Sequence, residues 1–424
     1  MDYSSDISHL PLSVQRYLTY TQYVPSVRAA SLGQEPPSTS EAQTHPRLAQ
    51  EAFAQHIRQD LVALGVPDVR LTAGGIVMGS IPATPGCERA PALGIIARTC
   101  SGTLSEEPAH WRLTRYKGGD VVIDAEHEVV LSPSRYAELL SYTGQDLIVP
   151  EGESDLGVGD KAAVAILLSA IEVICRNRAI PHAKLCFAFM PGNALDAFDL
   201  QAFGARYAFM LEAGPLGQLQ SETFNAAIAQ VTFVGENVHP SVAKGRMVNA
   251  AMLLNDFLRS LPRDETPERT EGYQGYYHLI EMKGTVEKAT AIMLIREYDR
   301  DAFEVRKSRL AARVSDFNEK NKMRASIRIK DQYFNMGETL RRQPWVLELA
   351  RESMHRVGVT PLERPVRGGT DGAHLTQRGL PCPSLFTGGL HFDNRYDVLP
   401  MTSFLKAVDV VTEVMSESGG VRAY

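Results

Sequence analysis

Apolar residues recur three or four positions apart in four long segments that flank the middle of the chain. Residues 46–65, which begin with a proline and end with a glycine, have this spacing and predict an amphipathic helix. Residues 161–175 are apolar on most faces, which is typical of a helix packed on a sheet. The segments 344–358 and 404–415 each have one apolar face and predict two further helices.

Short apolar runs lie between these helices. They occupy residues 69–71, 76–81, 92–97, 184–189 and 380–386. Runs of this length bounded by turn residues predict buried strands. Strands that alternate with helices predict an α/β fold with a mostly parallel central sheet flanked by helices.

The middle of the chain has a different pattern. Strands are predicted at 224–227, 230–235 and 289–295, and helices at 247–261 and 301–319. This alternation predicts a smaller inserted α+β domain. We therefore expect residues 1–220 and 335–424 to form the two parts of one domain, and residues 221–334 to form the insertion.

Composition and charge exclude several classes of protein. The 424 residues are 44% hydrophobic and 22% charged, with a net charge of −6 that is not concentrated in blocks, which argues against a nucleic-acid partner. No apolar run is long enough to span a membrane, and no secretion signal precedes the first helix. The five cysteines show no CxxC or framework spacing, so we expect a cytoplasmic protein with no membrane partner.

A glycine-rich turn near the C-terminus is a candidate anion site. Gly368 and Gly369 permit a sharp turn, and Thr370 or Asp371 can cap the short helix that follows. Free N–H groups at that helix start, together with Arg367, would attract an anion. The same pattern also fits a plain connection between a helix and a strand that requires glycines.

Six motifs together resemble one enzyme family. They are RGGTDGA at 367–373, GLPCP at 379–383, FTGG at 386–389, NVHP at 237–240, AKG at 243–245 and EGYQGYYHL at 271–279. With them, the chain from about residue 47 onward resembles peptidase T, the tripeptide aminopeptidases among the di-zinc exopeptidases. The resemblance implies a zinc-exopeptidase-like fold whose inserted domain is a lid and dimerisation domain, zinc as the cofactor of active relatives, and a homodimer formed through the lid.

Most of the positions that this resemblance identifies as the zinc site carry unsuitable side chains. The family's His-x-Asp is replaced by Arg98 and Cys100, and its bridging aspartate by Gly159. Its general base is replaced by Asn193 and the next metal ligand by Ala194. Arginine cannot lose its proton to bind a metal, and asparagine cannot take a proton from water.

Two acids remain at the other ligand positions. Glu212 matches an aspartate ligand and Asp393 matches the final histidine, while His391 lies two residues earlier and on the same side of an extended segment. These three are weak metal candidates, and His391 also fits a loop histidine without a ligand role. Asp160, beside Gly159, is expected to be a charge at a helix start. A di-zinc site cannot be assembled from this set, so we predict no metal cofactor.

Arg98 suggests a specific replacement for the metal. If the fold is kept, its side chain enters the former metal cavity, where Glu212 and Asp393 would otherwise lack a counter-charge. We expect the guanidinium to pair with one or both acids. The alternative is that Arg98 reaches solvent and water fills the cavity.

Residues outside the metal site are as the family has them. They include Asn237, His239, Arg296, Arg367, Gly368, Gly369 and Thr370. One interpretation is that they still bind a peptide-like anion, with Arg367 and the N–H groups of the turn on a carboxylate and His239 on a carbonyl or a carboxylate. They also fit a role in folding and dimer contacts alone.

Three functions follow from these observations. The first is a peptidase T-like pseudoenzyme that binds a small peptide or other carboxylate without hydrolysing it. The second is an enzyme of different chemistry, in which Cys100 pairs with His391 near Glu212 and Asp393. The third is an active aminopeptidase whose metal is held by unorthodox ligands.

Overall fold

The computed structural model describes residues 7–23, 40–100, 108–152, 154–192, 194–322, 324–390 and 396–422, with side chains from residue 50 onward in the second range. Its α-helices are α1 (Leu12–Tyr20), α2 (Ser40–Ala63), α3 (Asp160–Arg176), α4 (Leu200–Phe203), α5 (Ala250–Arg259), α6 (Arg300–Lys320), α7 (Gly337–Arg341), α8 (Pro344–Arg356), α9 (Asp371–Gln377) and α10 (Met401–Glu417). The strands are β1 (Asp68–Leu71), β2 (Val77–Ile81), β3 (Leu93–Cys100), β4 (Trp111–Arg115), β5 (Val121–Asp124), β6 (Val129–Leu131), β7 (Asp146–Pro150), β8 (Leu185–Pro191), β9 (Tyr207–Glu212), β10 (Gln218–Gln220), β11 (Asn225–Val234), β12 (Tyr276–Gly284), β13 (Lys288–Glu297), β14 (Ala325–Tyr333), β15 (Leu362–Glu363), β16 (Ser384–Phe386) and β17 (Leu399–Pro400).

The chain divides into two compact units. Unit 1 comprises Met1–Ser221, Thr339–Arg364 and Gly379–Tyr424, and unit 2 comprises Glu222–Glu338 and Pro365–Arg378. These units differ from the expected domain boundaries at residues 221, 335–338 and 365–378. The glycine-rich turn and α9 therefore group with unit 2.

Unit 1 is built on an eight-stranded sheet in the order β1-β2-β8-β3-β9-β16-β10-β15. The central strands β8, β3, β9 and β16 run parallel, while β1, β2 and β10 pair antiparallel toward the edges. Strand β8 is buried along its whole length, and α3, which packs on β3, is buried along almost all of its own. The predicted α/β fold with a parallel central sheet is confirmed.

One predicted strand of unit 1 is shorter than expected. Residues 380–386 form only the three-residue strand β16. Pro381 and Pro383 have no N–H to donate to a ladder, although their carbonyls accept hydrogen bonds from the backbone of Ala208 and Met210. The apolar run is therefore extended beside β9 without being strand over its full length.

Unit 2 is a four-stranded antiparallel sheet with helices on one face. The strand order is β12-β13-β11-β14. Every second residue along the strands faces α5 and α6, and the core between them contains Phe233, Phe257 and Phe303. The two strands predicted at 224–227 and 230–235 are one strand, β11. Strands β12 and β14 were not predicted; the burial of β12 does not alternate along its length, whereas that of β14 alternates over most of it.

Gly94 provides a test of packing in the central sheet. A Cβ at this position would lie 2.6 Å from the Phe203 ring, which is itself buried, so Gly94→Ala forces the ring to move. We expect Gly94→Ala to lower the free energy of unfolding by about 1–3 kcal/mol in urea denaturation. Gly119→Ala is the control, because a Cβ there meets no atom within 4 Å. Equal stability of both variants would contradict this packing.

Candidate functional site

The ends of three neighbouring parallel strands define the site in unit 1. Strand β3 carries Arg98 and Cys100 at its carboxyl end, β9 ends at Glu212, and β8 ends at Pro191, just before Ala194. Because β8, β3 and β9 are adjacent and parallel, their ends meet at one edge of the sheet. This is the edge at which open α/β sheets bind ligands.

The loop that leads into α3 is held firmly against this edge. The Tyr17 hydroxyl donates a hydrogen bond of 3.0 Å to the carbonyl of Leu156, and the Thr387 hydroxyl donates one of 2.7 Å to the carbonyl of Val158. Gly389 packs so closely that a Cβ would lie 2.6 Å from the Cβ of Val158. The FTGG motif therefore has a packing role beside this loop.

Gly159 follows in the same loop and has an ordinary helical backbone. Its φ is −86° and its ψ is −49°, which any residue adopts. A Cβ at this position would lie 3.3 Å from the Cβ of Ala213, a close but tolerable contact. Backbone geometry therefore does not require glycine at position 159. The lack of a carboxylate at this position changes the chemistry of the site and not its backbone.

Arg98 contacts two acids at the strand ends. Its Nη2 donates a hydrogen bond of 3.1 Å to Oε2 of Glu212, and its Nε lies 3.6 Å from Oδ1 of Asp160. The side chain of Arg98 is 24% exposed, against 12% for Glu212 and 10% for Asp160. The expected pairing of Arg98 with Glu212 is present.

Cys100 lies deeper than Arg98. Its thiol accepts a hydrogen bond of 3.2 Å from the side-chain amide of Gln50, and its carbonyl accepts one of 2.9 Å from the backbone of Gly192. Burial raises the pKa of the Cys100 thiol, and the negative charge of Asp160 raises it further. A protonated, buried thiol is a poor nucleophile.

Lys161 is a buried cation next to this cysteine. Its ammonium group donates to the carbonyl of Thr99 at 3.4 Å and lies 4.2 Å from the centre of the Phe53 ring. Burial lowers the pKa of Lys161 to about 8, although Cys100 and Asp160 act in the opposite direction. The ring and the carbonyl only partly replace water around this charge.

Three residues of the expected site lie outside the described residues. They are Asn193, His391 and Asp393. The expected contact between Arg98 and Asp393, and the pairing of Cys100 with His391, stay predictions.

The described residues do not fit a di-zinc centre. Within the ranges given for the structure, no three histidine, cysteine, aspartate or glutamate side chains come together as metal ligands would. Ala194 is a buried methyl group, and the Arg98 guanidinium lies against Glu212. A cation at this position repels a metal ion and cannot bind one.

Two of the expected ligand-binding residues of unit 2 lie on an exposed loop. Asn237 and His239 are both exposed. The imidazole Nδ1 of His239 is 2.7 Å from the Ser241 hydroxyl and accepts a hydrogen bond from the Ser241 backbone. Its ligand role stays a prediction.

Arg296 is buried within unit 2. Its guanidinium donates to the carbonyls of Ala227 and Ile295 at 3.3 and 3.0 Å and lies 5.6 Å from the centre of the Tyr333 ring. Among the described residues it forms no ion pair. A buried guanidinium with only neutral partners attracts an anion.

Arg367 holds a loop of its own unit. Its guanidinium donates to the carbonyls of Gly272 and Gln274 at 2.9 and 3.0 Å and to the Thr270 hydroxyl at 2.7 Å. It also lies 5.3 Å from the centre of the Tyr276 ring. The EGYQGYYHL motif is thereby fixed to the glycine-rich turn.

The glycine-rich turn has the predicted capping. Thr370, not Asp371, is the N-cap residue of α9, because its side chain accepts a hydrogen bond from the backbone of Ala373. Gly369 lies against Tyr333, where a Cβ would be 2.6 Å from the tyrosine hydroxyl. Gly368 has open space around it, and anion binding at this turn stays a prediction.

Sequence reasoning missed two members of the site in unit 1. Asp160 lies in the first turn of α3, as expected of a helix-start charge, but it also faces Arg98. The pattern of apolar residues predicts only that Lys161 begins an apolar helix. The run Gly-Asp-Lys-Ala-Ala at 159–163 contained the signal, since two adjacent charges open an otherwise apolar helix.

Lys161 gives a prediction about pH. Its folded-state pKa of about 8 lies below the ordinary 10.5, so the unfolded chain binds more protons between these values and stability rises with pH there. We expect the wild type to gain about 3 kcal/mol across this window relative to Lys161→Met, measured by urea denaturation. Lys117→Met, at an exposed position, is the control and should follow the wild type. Parallel curves for wild type and Lys161→Met would contradict the buried charge.

Comparisons with known proteins agree with this fold. Residues 221–322 match the family model described as a peptidase dimerisation domain. Similar solved structures include aminopeptidase PepT from Bacillus cereus, with a TM-score of 0.71 at 16% identity, and a tripeptidase from Staphylococcus aureus, with a TM-score of 0.70 at 14% identity. Both alignments cover 96% of this chain and 98% of the other.

No helix among the described residues is long and apolar enough to cross a membrane.

Sequence relatives are closer. Peptidase T from Parabacteroides distasonis is 40% identical over 387 residues, which is 90% of this chain and 95% of the relative. Peptidase T from Geobacillus kaustophilus is 36% identical, with 86% of this chain and 90% of the relative covered. At this identity and coverage, the chain belongs to the peptidase T family.

Proposed function

We propose that this chain is a peptidase T-like protein that does not hydrolyse peptides through a di-zinc centre and that still binds a small peptide or another small anionic ligand. The observation that carries the proposal is the contact of 3.1 Å between Arg98 and Glu212. A fixed cation stands where the family resemblance implies a metal ligand.

The chemistry of the neighbouring positions supports the loss of hydrolysis. Gly159 and Ala194 have no atom that binds a metal, and Asn193 cannot accept a proton from water. General-base catalysis alone contributes about 10²–10⁴-fold, and activation of water by a metal adds more. Losing both removes the family's reaction almost entirely.

Retained binding is supported by Arg296. This guanidinium is buried, and its partners in the part of the chain that the structure describes are two backbone carbonyls and the Tyr333 ring. Keeping a buried charge without an acidic partner is costly unless a ligand supplies the negative charge. A peptide carboxylate has the charge and the planar shape that pair with a guanidinium.

We further propose that the protein is a homodimer formed through unit 2. The family model matched there is a dimerisation domain. Exposed apolar side chains lie on α5 and on the sheet-edge strand β12, namely Met252, Leu279 and Met282. Helix α5 contacts β12, so the exposed apolar side chains of the two elements lie in neighbouring parts of unit 2, which a second copy would cover.

A reducing compartment fits the five cysteines, all of which are free thiols. We propose a cytoplasmic location on this ground, because disulfides are rare in the cytosol.

Ligand binding and hydrolysis are tested on the same sample. We expect purified protein to show no tripeptide hydrolysis above background with added Zn²⁺ or Mn²⁺, and a tripeptide to raise its melting temperature. Arg296→Met should abolish that shift, while the control Arg328→Met, at an exposed position of β14, should keep it. Turnover that scales with bound metal would support an active aminopeptidase, and an unchanged melting temperature would contradict ligand binding.

The dimer is tested by charge insertion. We expect Met252→Asp combined with Met282→Asp to yield monomers in light scattering, because two carboxylates would be buried in the interface. Val305→Asp, at an exposed apolar position on α6, is the control and should remain dimeric. A dimeric double variant would place the interface elsewhere.

A further inference from the structure

Arg98, Glu212 and Asp160 form a compact charged cluster, which we call the arginine cluster. We infer that the Arg98 guanidinium is a built-in cation that replaces the charge of the metal, bridging the two carboxylates so that the site is stable without a metal ion. The inference concerns the same site as the proposed function but does not depend on ligand binding.

The geometry of the cluster fits a bridging role. The guanidinium meets Glu212 through Nη2 at 3.1 Å and approaches Asp160 through Nε at 3.6 Å, so two different nitrogens of one planar group face the two acids. The two carboxylates come from different elements, the end of β9 and the start of α3. One side chain therefore connects a strand end to a helix start, as a shared metal ion would.

Burial explains why the acids need a cation. Glu212 and Asp160 are each about nine-tenths buried, while Arg98 is 24% exposed. Two nearby carboxylates in such a place repel each other and are poorly solvated. The guanidinium offsets both costs, and it keeps its charge at any pH at which the protein folds.

The side chains at positions 98, 159 and 194 complement one another in size as well as in charge. Where the family has acidic ligands, this chain has Gly159 and Ala194, two of the smallest residue types. Arg98 is correspondingly larger than a histidine. Neither Gly159 nor Ala194 has a side-chain polar atom that competes with the two acids for the guanidinium.

A double-mutant cycle tests the bridge. Arg98→Met and Glu212→Gln should each lower the melting temperature by several degrees, and the double variant should lose less than the sum of the two. Arg98→Lys keeps the charge and should lie between Arg98→Met and the wild type, which guards against a variant that simply fails to fold. Arg115→Met is the matched control, because Arg115 pairs with Asp146 at the surface, and its effect should be close to zero. Additive losses in the cycle would overturn the inference.

Metal response provides an independent readout. The melting temperature of the wild type should not change with EDTA or with added Mn²⁺, whereas Arg98→Met should be stabilised by Mn²⁺ because the guanidinium no longer repels the metal ion from the two acids. A fall in the wild-type melting temperature on chelation, or equal Mn²⁺ responses in both proteins, would contradict the replacement. A wild type that binds no tripeptide would refute the proposed function while leaving this cycle and this metal response unaffected.

Discussion

Parallel pairing of β3 with β8 and β9 is the constraint on which the site depends. The three strands are hydrogen-bonded neighbours, so whatever residues follow or end them must meet at one edge of the sheet. In this chain those residues include Arg98, Glu212 and the buried Cys100. The sheet therefore sets the position of the site, and the side chains at its edge set the chemistry.

The rest of unit 1 supports the same edge without using the side chains of the site itself. The loop before α3 is fixed by hydrogen bonds from Tyr17 and Thr387 and by the close approach of Gly389. These contacts hold backbone in place and do not depend on which side chain stands at position 159. The fold at this edge can therefore stay the same when the side chains of the site differ, because its stability comes from packing and backbone hydrogen bonds.

The sequence predicted more of the fold than of the site. Long apolar helices such as α3 and buried runs such as β8 have strong patterns, so their type and place followed directly. Strand β12 was missed because its side chains lack alternation, and the prolines at 381 and 383 shortened β16. The Arg98 contact with Glu212 followed from desolvation, but the approach of Asp160 depends on how α3 starts beside β3, which spacing along the chain does not encode.

The hydrogen bonds that Arg367 donates to the 270–274 loop have a consequence for the order of folding. Residues 222–338 leave the ribosome well before Arg367, which holds the 270–274 loop and covers the rings of Phe224 and Tyr276. Until Arg367 has been synthesised, its guanidinium cannot contact the two aromatic rings or donate hydrogen bonds to the loop. Because contacts between distant segments form late, unit 2 completes its structure only after most of the chain has been synthesised.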